Sequence, residues 1–151
     1  MGMPPYPHDI AAELRELRAM VTDAWTAAQS SARRMPYVPM TFAAADISKW
    51  PSTASADFTG LWVAVPYRQH PLIRVAVWAY GSTASGSLRI KVGDTYSDSE
   101  SITDGALVLR EFSIPAPGED LSRANVTVEA CRTSGNGTVS CAPVWAYGVE
   151  S

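Results

Sequence analysis

Beyond Thr41 no apolar residues recur at helical spacing. Short β-branched and aromatic runs alternate instead with clusters such as GSTASGS, GDTYSDSES and PAPGED. Alternate side chains of an extended chain point to opposite sides, so such a chain buries one face of a sheet rather than one face of a helix. Strands are expected at 41–47, 60–68, 72–80, 87–93, 95–101, 106–114, 124–132 and 138–148, with turns in the clusters between them. Short strands at this spacing argue for a mainly β chain built as an antiparallel β-sandwich, jelly-roll-like in arrangement.

The alternation also assigns faces. In one run Ile73, Val75, Val77 and Ala79 alternate with Leu72, Arg74, Ala76, Trp78 and Tyr80. In the last, Val126, Val128, Ala130, Ala142, Val144 and Ala146 alternate with Asn125, Thr127, Glu129, Cys131, Cys141, Pro143, Trp145 and Tyr147. The uniformly apolar sets are the expected core. The five-residue string VWAYG, which occurs at Val77–Gly81 and again at Val144–Gly148, therefore puts its Trp and Tyr on the face away from the core both times. In LWVAVPYR the set Leu61, Val63 and Val65 reads as core, so Trp62 joins Trp78, Tyr80, Trp145 and Tyr147 on the outward face, while Tyr67 falls with the core set. Three covers are open for that face: a neighbouring subunit, a sugar ring stacked on the aromatics, or the rest of the same chain.

Cys131 and Cys141 flank RTSGNGTVS, whose Gly-Asn-Gly centre reads as a hairpin turn. A turn on Asn136 sets the two cysteines opposite each other, with Cβ atoms about 4.5–5.5 Å apart, close to disulfide geometry. The alternative is two reduced thiols on one hairpin. A disulfide without an export signal suits a protein assembled inside a cell and then released.

Ahead of the strands, Asp9 can cap a helix whose apolar residues Ile10, Leu14, Leu17, Val21, Ala24 and Ala28 follow one another in steps of 4, 3, 4, 3 and 4. That is a coiled-coil seam, flanked by Glu13, Arg15, Glu16 and Arg18. Packing of the helix on its own domain is the alternative. Pro4, Pro5 and Pro7 make residues 1–8 an extended arm, and Pro36 and Pro39 make a stiff connector. The expected organisation is an arm and oligomerising helix at 1–34, a linker at 35–41 and a β-sandwich domain at 42–151.

With 46% hydrophobic and 18% charged residues and a net charge of −3, the chain has an ordinary globular balance. It offers no basic footprint for nucleic acid. No apolar run reaches the roughly 20 residues that span a bilayer, and the first residues lack the pattern of a secretory leader. Tyr6 stands where a myristoylation motif needs Ser or Thr.

The catalytic inventory is empty. His8 lies in the arm and His70 in a polar turn, and no nucleophile elbow, zinc spacing or phosphate loop appears. Asp94, Asp98, Glu100 and Asp104 could offer oxygens to Ca²⁺, but their spacing is that of a solvated loop, not of an EF-hand. Asp94 and Asp98 as the acid and base of a glycan hydrolase are a third-ranked reading, since nothing in their spacing singles them out. The sequons at Asn125 and Asn136 lack an export route. No enzyme activity, metal or cofactor is expected.

These parts together resemble the short structural proteins of tailed bacteriophages that infect high-GC actinobacteria, above all minor tail and fibre-like proteins. PHDIAAELRELRAMV corresponds to a brief N-terminal oligomerising helix, and the Ala-, Ser- and Thr-rich stretch from Thr41 to Ser151 to the β-sandwich. The resemblance implies a virion component, often a homotrimer, assembled in the host cytoplasm and released by lysis. Its N-terminal arm would dock on other virion proteins, and its β domain would face outward, either binding a host-surface glycan or reinforcing the particle. Repeats and an extended shaft are missing, so capsid decoration stays open beside a tail role.

Overall fold

The computed structural model describes residues 10–33, 46–119 and 121–149. The chain divides into two compact units, Met1–Met35 and Pro36–Ser151. The Pro-rich arm, the linker and most of the strand expected at 41–47 lie outside the described residues. Ile47, the last residue of that expected strand, begins a single 3₁₀ turn, Ile47–Lys49, capped by the Asp46 side chain.

In the first unit, helix α1 runs Ile10–Arg33. Ala, Leu, Glu and Arg dominate its first turns, all residues that lose little rotamer freedom in a helix. Farther along, the Thr22 and Thr26 hydroxyls donate to the carbonyls of Arg18 and Thr22, each at 2.9 Å, which lets these β-branched polar residues sit inside a helix. The helix stops three residues before Pro36.

The second unit is one open antiparallel sheet of seven strands: β1 Ser52–Thr53, β2 Thr59–Ala64, β3 Leu72–Val92, β4 Thr95–Tyr96, β5 Glu100–Ile102, β6 Leu107–Pro115 and β7 Val126–Val149. Its spine is β3 paired with β7 from Leu72↔Val149 to Val92↔Val126. Outside the spine, β1 and β2 line the free edge of β7, and β4, β5 and β6 line that of β3. The mainly β class with one N-terminal helix is as expected. The lengths are not: GSTASGS and RTSGNGTVS, both expected as turns, lie inside single strands.

Three register shifts allow this. The 21 residues of β3 lie against 24 of β7, with irregularities at Ala76/Val77, Ser82/Ala84 and Ser85/Gly86. A bulge adds a residue to one strand and sharpens its bend. The middle pair of shifts needs residues that a regular ladder rejects. Thr83 has φ 52° and Gly135 φ 83°, and a Cβ on Gly137 would collide with the Ser82 carbonyl oxygen. Asp104 secures the bend from the side, its carboxylate accepting the Ala84 N–H at 3.1 Å while its own N–H donates to Ser85 Oγ at 3.3 Å.

The bend is large. Arg110 lies opposite Val77, and Ser101 lies opposite Ser87. On a straight ribbon those points would be about 33 Å apart at roughly 3.3 Å per residue. Yet Arg110 Nη2 donates to the Ser101 carbonyl at 2.8 Å, so the ribbon doubles back.

Skipping Thr83 also keeps one face buried through the bend. Burial falls on odd residues from Ile73 to Gly81 and on even ones from Ala84 to Val92, which a shift of one residue requires if the same face is to stay inside. Side chains from both halves of the ribbon form one core: Val75, Val77, Phe112 and Ile114 from the first half, and Leu88, Ile90, Val92, Val126 and Val128 from the second.

Candidate functional site

Three expected features move once the strands are paired. The first is the disulfide. No turn exists at Asn136, and β7 continues through it, so Cys131 lies opposite Ser87 and Cys141 opposite Ala79. Both thiols are free and buried. Cys141 belongs to the core, whereas Cys131 sits on the other face beside Ala130, a core residue. On one strand, ten residues apart and facing opposite sides, they are far outside disulfide reach. Burial pushes the Cys141 thiol up to about 12.

Trp62 is the second. A register shift between Gly60 and Trp62 skips Leu61, so Trp62 lies opposite the core residue Val128 and packs against the core. The expected alternation is thereby inverted, and Val63 is 64% exposed. Trp62 Nε1 is buried without a hydrogen-bond partner among the described residues, as are both nitrogens of His70. The third is the core set of β7. Cys141 and Pro143 point inward opposite Ala79 and Val77, while Ala142 lies opposite Trp78 on the outer face.

Trp78, Tyr80, Trp145 and Tyr147 do share the outer face. Arg74↔Tyr147, Ala76↔Trp145, Trp78↔Ala142 and Tyr80↔Ser140 are direct partners, and directly opposed residues lie on the same side of the sheet. The extra residue at Val144 makes this possible, because without it Trp145 would fall in line with Cys141 and Pro143. All four rings are half-buried, and they cover Ala76 and Ala142 completely. Trp145 and Tyr147 stack at a centroid distance of 4.9 Å with a tilt of 34°. The next strand extends the patch with Leu109 opposite Trp78 and Leu107 opposite Tyr80, side chains that are 39% and 47% exposed. Alternation in 106–114 places these leucines on one face, but only the pairing shows that it is the face of the aromatics. Arg74, Glu111 and Ser113 rim the patch.

Gly148 of the second VWAYG has a role of its own. A Cβ there would strike the His70 ring, so this glycine leaves room for the buried imidazole. In the first copy, Gly81 makes the same kind of close approach to the Ala84 carbonyl inside the bend.

The outer face of the other half of the ribbon has opposite chemistry. Arg89 and Glu129 are direct partners joined by an ion pair of 2.7 Å. The Arg89 guanidinium also lies over Phe58 at 3.9 Å and over Tyr96 at 4.2 Å. Its charge and its planar surface are both satisfied within the chain.

In the helical unit, Leu14, Leu17 and Val21 of the seam are 56%, 61% and 61% exposed, and Ala24 is exposed too. The side chains of Ile10 and Ala28 lie outside the described residues. Met20 and Trp25, beside the seam, are 66% and 67% exposed.

Among the described residues no group of three or more His, Cys, Asp or Glu is placed to hold a metal ion. Of the acidic run, Asp104 is committed to the Ala84 amide. No helix among the described residues is long and apolar enough to cross a membrane. No family model, curated protein or solved structure matches the chain.

Proposed function

We propose that the chain is a non-enzymatic structural protein of a bacteriophage virion, a minor tail, fibre-like or capsid decoration component. In this reading α1 assembles a homotrimer as a coiled coil, the arm docks on other virion proteins, and the β unit is displayed as a closed, jelly-roll-like sandwich. The observation that carries it is the exposed seam of Leu14, Leu17 and Val21, apolar surface that a partner helix would remove from water. The shared core and the reach of Arg110 to Ser101 support a sandwich whose two layers are the two halves of the bent ribbon. The resemblance of PHDIAAELRELRAMV and the following β region to phage tail proteins supplies the virion setting.

Light scattering on the purified full-length chain tests the assembly. The expected mass is three times the 16.2 kDa of one chain, falling to that of a monomer when residues 1–34 are deleted. A monomer at micromolar concentration, unaltered by the deletion, removes the main support.

A second reading, host-surface glycan binding, is favoured by the flat outer layer of Trp78, Tyr80, Trp145 and Tyr147 over two buried alanines. Rings of this kind suit the C–H face of a sugar. A glycan array on wild type, repeated with Trp78→Ala and Trp145→Ala, tests it. Binding that survives both substitutions counts against that face.

A further inference from the structure

The residues beside the seam bear on which way the helices run. We infer that the α1 helices of neighbouring copies are parallel and in register, an inference that rests on the reading of α1 as the oligomer seam.

The steps of the seam set the register. Leu14, Val21 and Ala28 share one core position, a, and Ile10, Leu17 and Ala24 share the other, d. Position g is then Glu13, Met20 and Ala27, and position e is Ala11, Arg18 and Trp25. In a parallel in-register bundle each g residue meets the e residue five positions later on the neighbouring helix, and such pairs set partner and orientation. Position 13 meets Arg18 of the next copy, acid against base. Met20 meets Trp25 of the next copy, apolar against apolar. Every flanking residue from 13 to 25 finds a complementary partner, and the exposure of Met20 and Trp25 within one chain, 66% and 67%, has a cover.

The antiparallel arrangement does not achieve this. Setting each a position opposite a d position brings Leu14 to Ala24 and Leu17 to Val21 of the partner. It also places e beside e and g beside g. Arg18 then meets Arg18 of the partner, Trp25 meets Ala11, and position 13 meets Ala27. Like charges meet at the middle of the helix, and the largest flanking side chain faces the smallest. The parallel arrangement also explains why the flanks turn apolar toward the C-terminal end. There the core layers shrink to Ala24 and Ala28, and Met20 and Trp25 supply the apolar bulk that those layers lack.

Cysteine cross-linking of the full-length chain under native conditions tests the orientation, because Cys131 and Cys141 are buried in the β unit and do not compete. Leu14→Cys and Ala24→Cys are made separately, oxidised mildly, and measured for both cross-linking and mass in solution. Parallel register puts each new thiol beside its own counterpart, so both variants are expected to form covalently linked chains. In the antiparallel arrangement like positions are about 15 Å apart, at 1.5 Å per residue, and neither variant links to itself. An intact oligomer without cross-links overturns the parallel register and leaves self-association standing. A monomer overturns both.

Charge exchange gives a second readout. Arg18→Glu is expected to weaken the oligomer by about threefold or more, the scale of one exposed ion pair lost. Glu13→Arg together with Arg18→Glu is expected to restore it. Failure of the double variant to recover affinity counts against the pairing.

Discussion

Cys141→Ala isolates what the buried thiol does to the pH dependence of stability. In the folded chain burial pushes this thiol from an ordinary value of 9.0 up to about 12. The unfolded chain therefore loses the proton first as the pH rises. Below pH 9 both states hold it, and the group adds no pH dependence. Between pH 9 and 12 the unfolded state binds fewer protons, so stability falls with rising pH. At pH 10.5 the loss amounts to about 2 kcal/mol, and across the whole window to about 4 kcal/mol, at roughly 1.36 kcal/mol per pH unit. Tyrosines and lysines titrate over the same range, so the measured quantity is the difference between wild type and Cys141→Ala. Urea unfolding at pH 7 and pH 10.5 under reducing conditions is expected to show wild type losing about 2 kcal/mol more than the variant. Equal losses would refute the argument that a neutral thiol is held in the core. So would a native chain whose two thiols are missing to a thiol reagent after unfolding without reductant, since that is the signature of the disulfide the hairpin reading expects.

Three further outcomes follow from the bend and the cation cluster. Asp104→Ala leaves the Ala84 amide without its charged acceptor and is expected to cost about 1–3 kcal/mol in thermal or urea unfolding. Gly137→Ala drives a methyl group into the Ser82 carbonyl and is expected to cost more than Gly105→Ala, where φ is 70° but nothing lies within 4 Å of the added carbon. The latter should lose only the roughly 1–2 kcal/mol of left-handed strain, and a reversed order in unfolding experiments would contradict the packing of the bend. Arg89→Ala should destabilise more than Glu129→Gln, because it removes contacts to Phe58 and Tyr96 as well as the ion pair. The pair is partly exposed, so Glu129→Gln is expected to cost about 1 kcal/mol or less.

Much of the fold is legible in composition and periodicity, and the reason is local. Helix α1 shows in the spacing from Ile10 to Ala28, and the outward set Trp78, Tyr80, Trp145 and Tyr147 shows in the alternation of the two VWAYG strings. Both patterns reflect the direction in which Cβ leaves the backbone, a property of each residue and its immediate neighbours.

What the tertiary structure alone decides is where alternation is interrupted. GSTASGS and RTSGNGTVS hold the residues that make turns, yet they also hold those that make bulges, because both need glycine for positive φ or for close backbone approach. The local chain is silent between the two. The partner strand decides, since β3 and β7 each continue through the bend only because the other runs beside it, and Asp104 holds the amide left free there. One skipped residue then inverts everything downstream of it. Leu61 sends Trp62 into the core, Val144 keeps Trp145 and Tyr147 outside it, and the continuous β7 separates two cysteines that a hairpin would have joined. Side-chain direction is written residue by residue, whereas register is a property of two strands together.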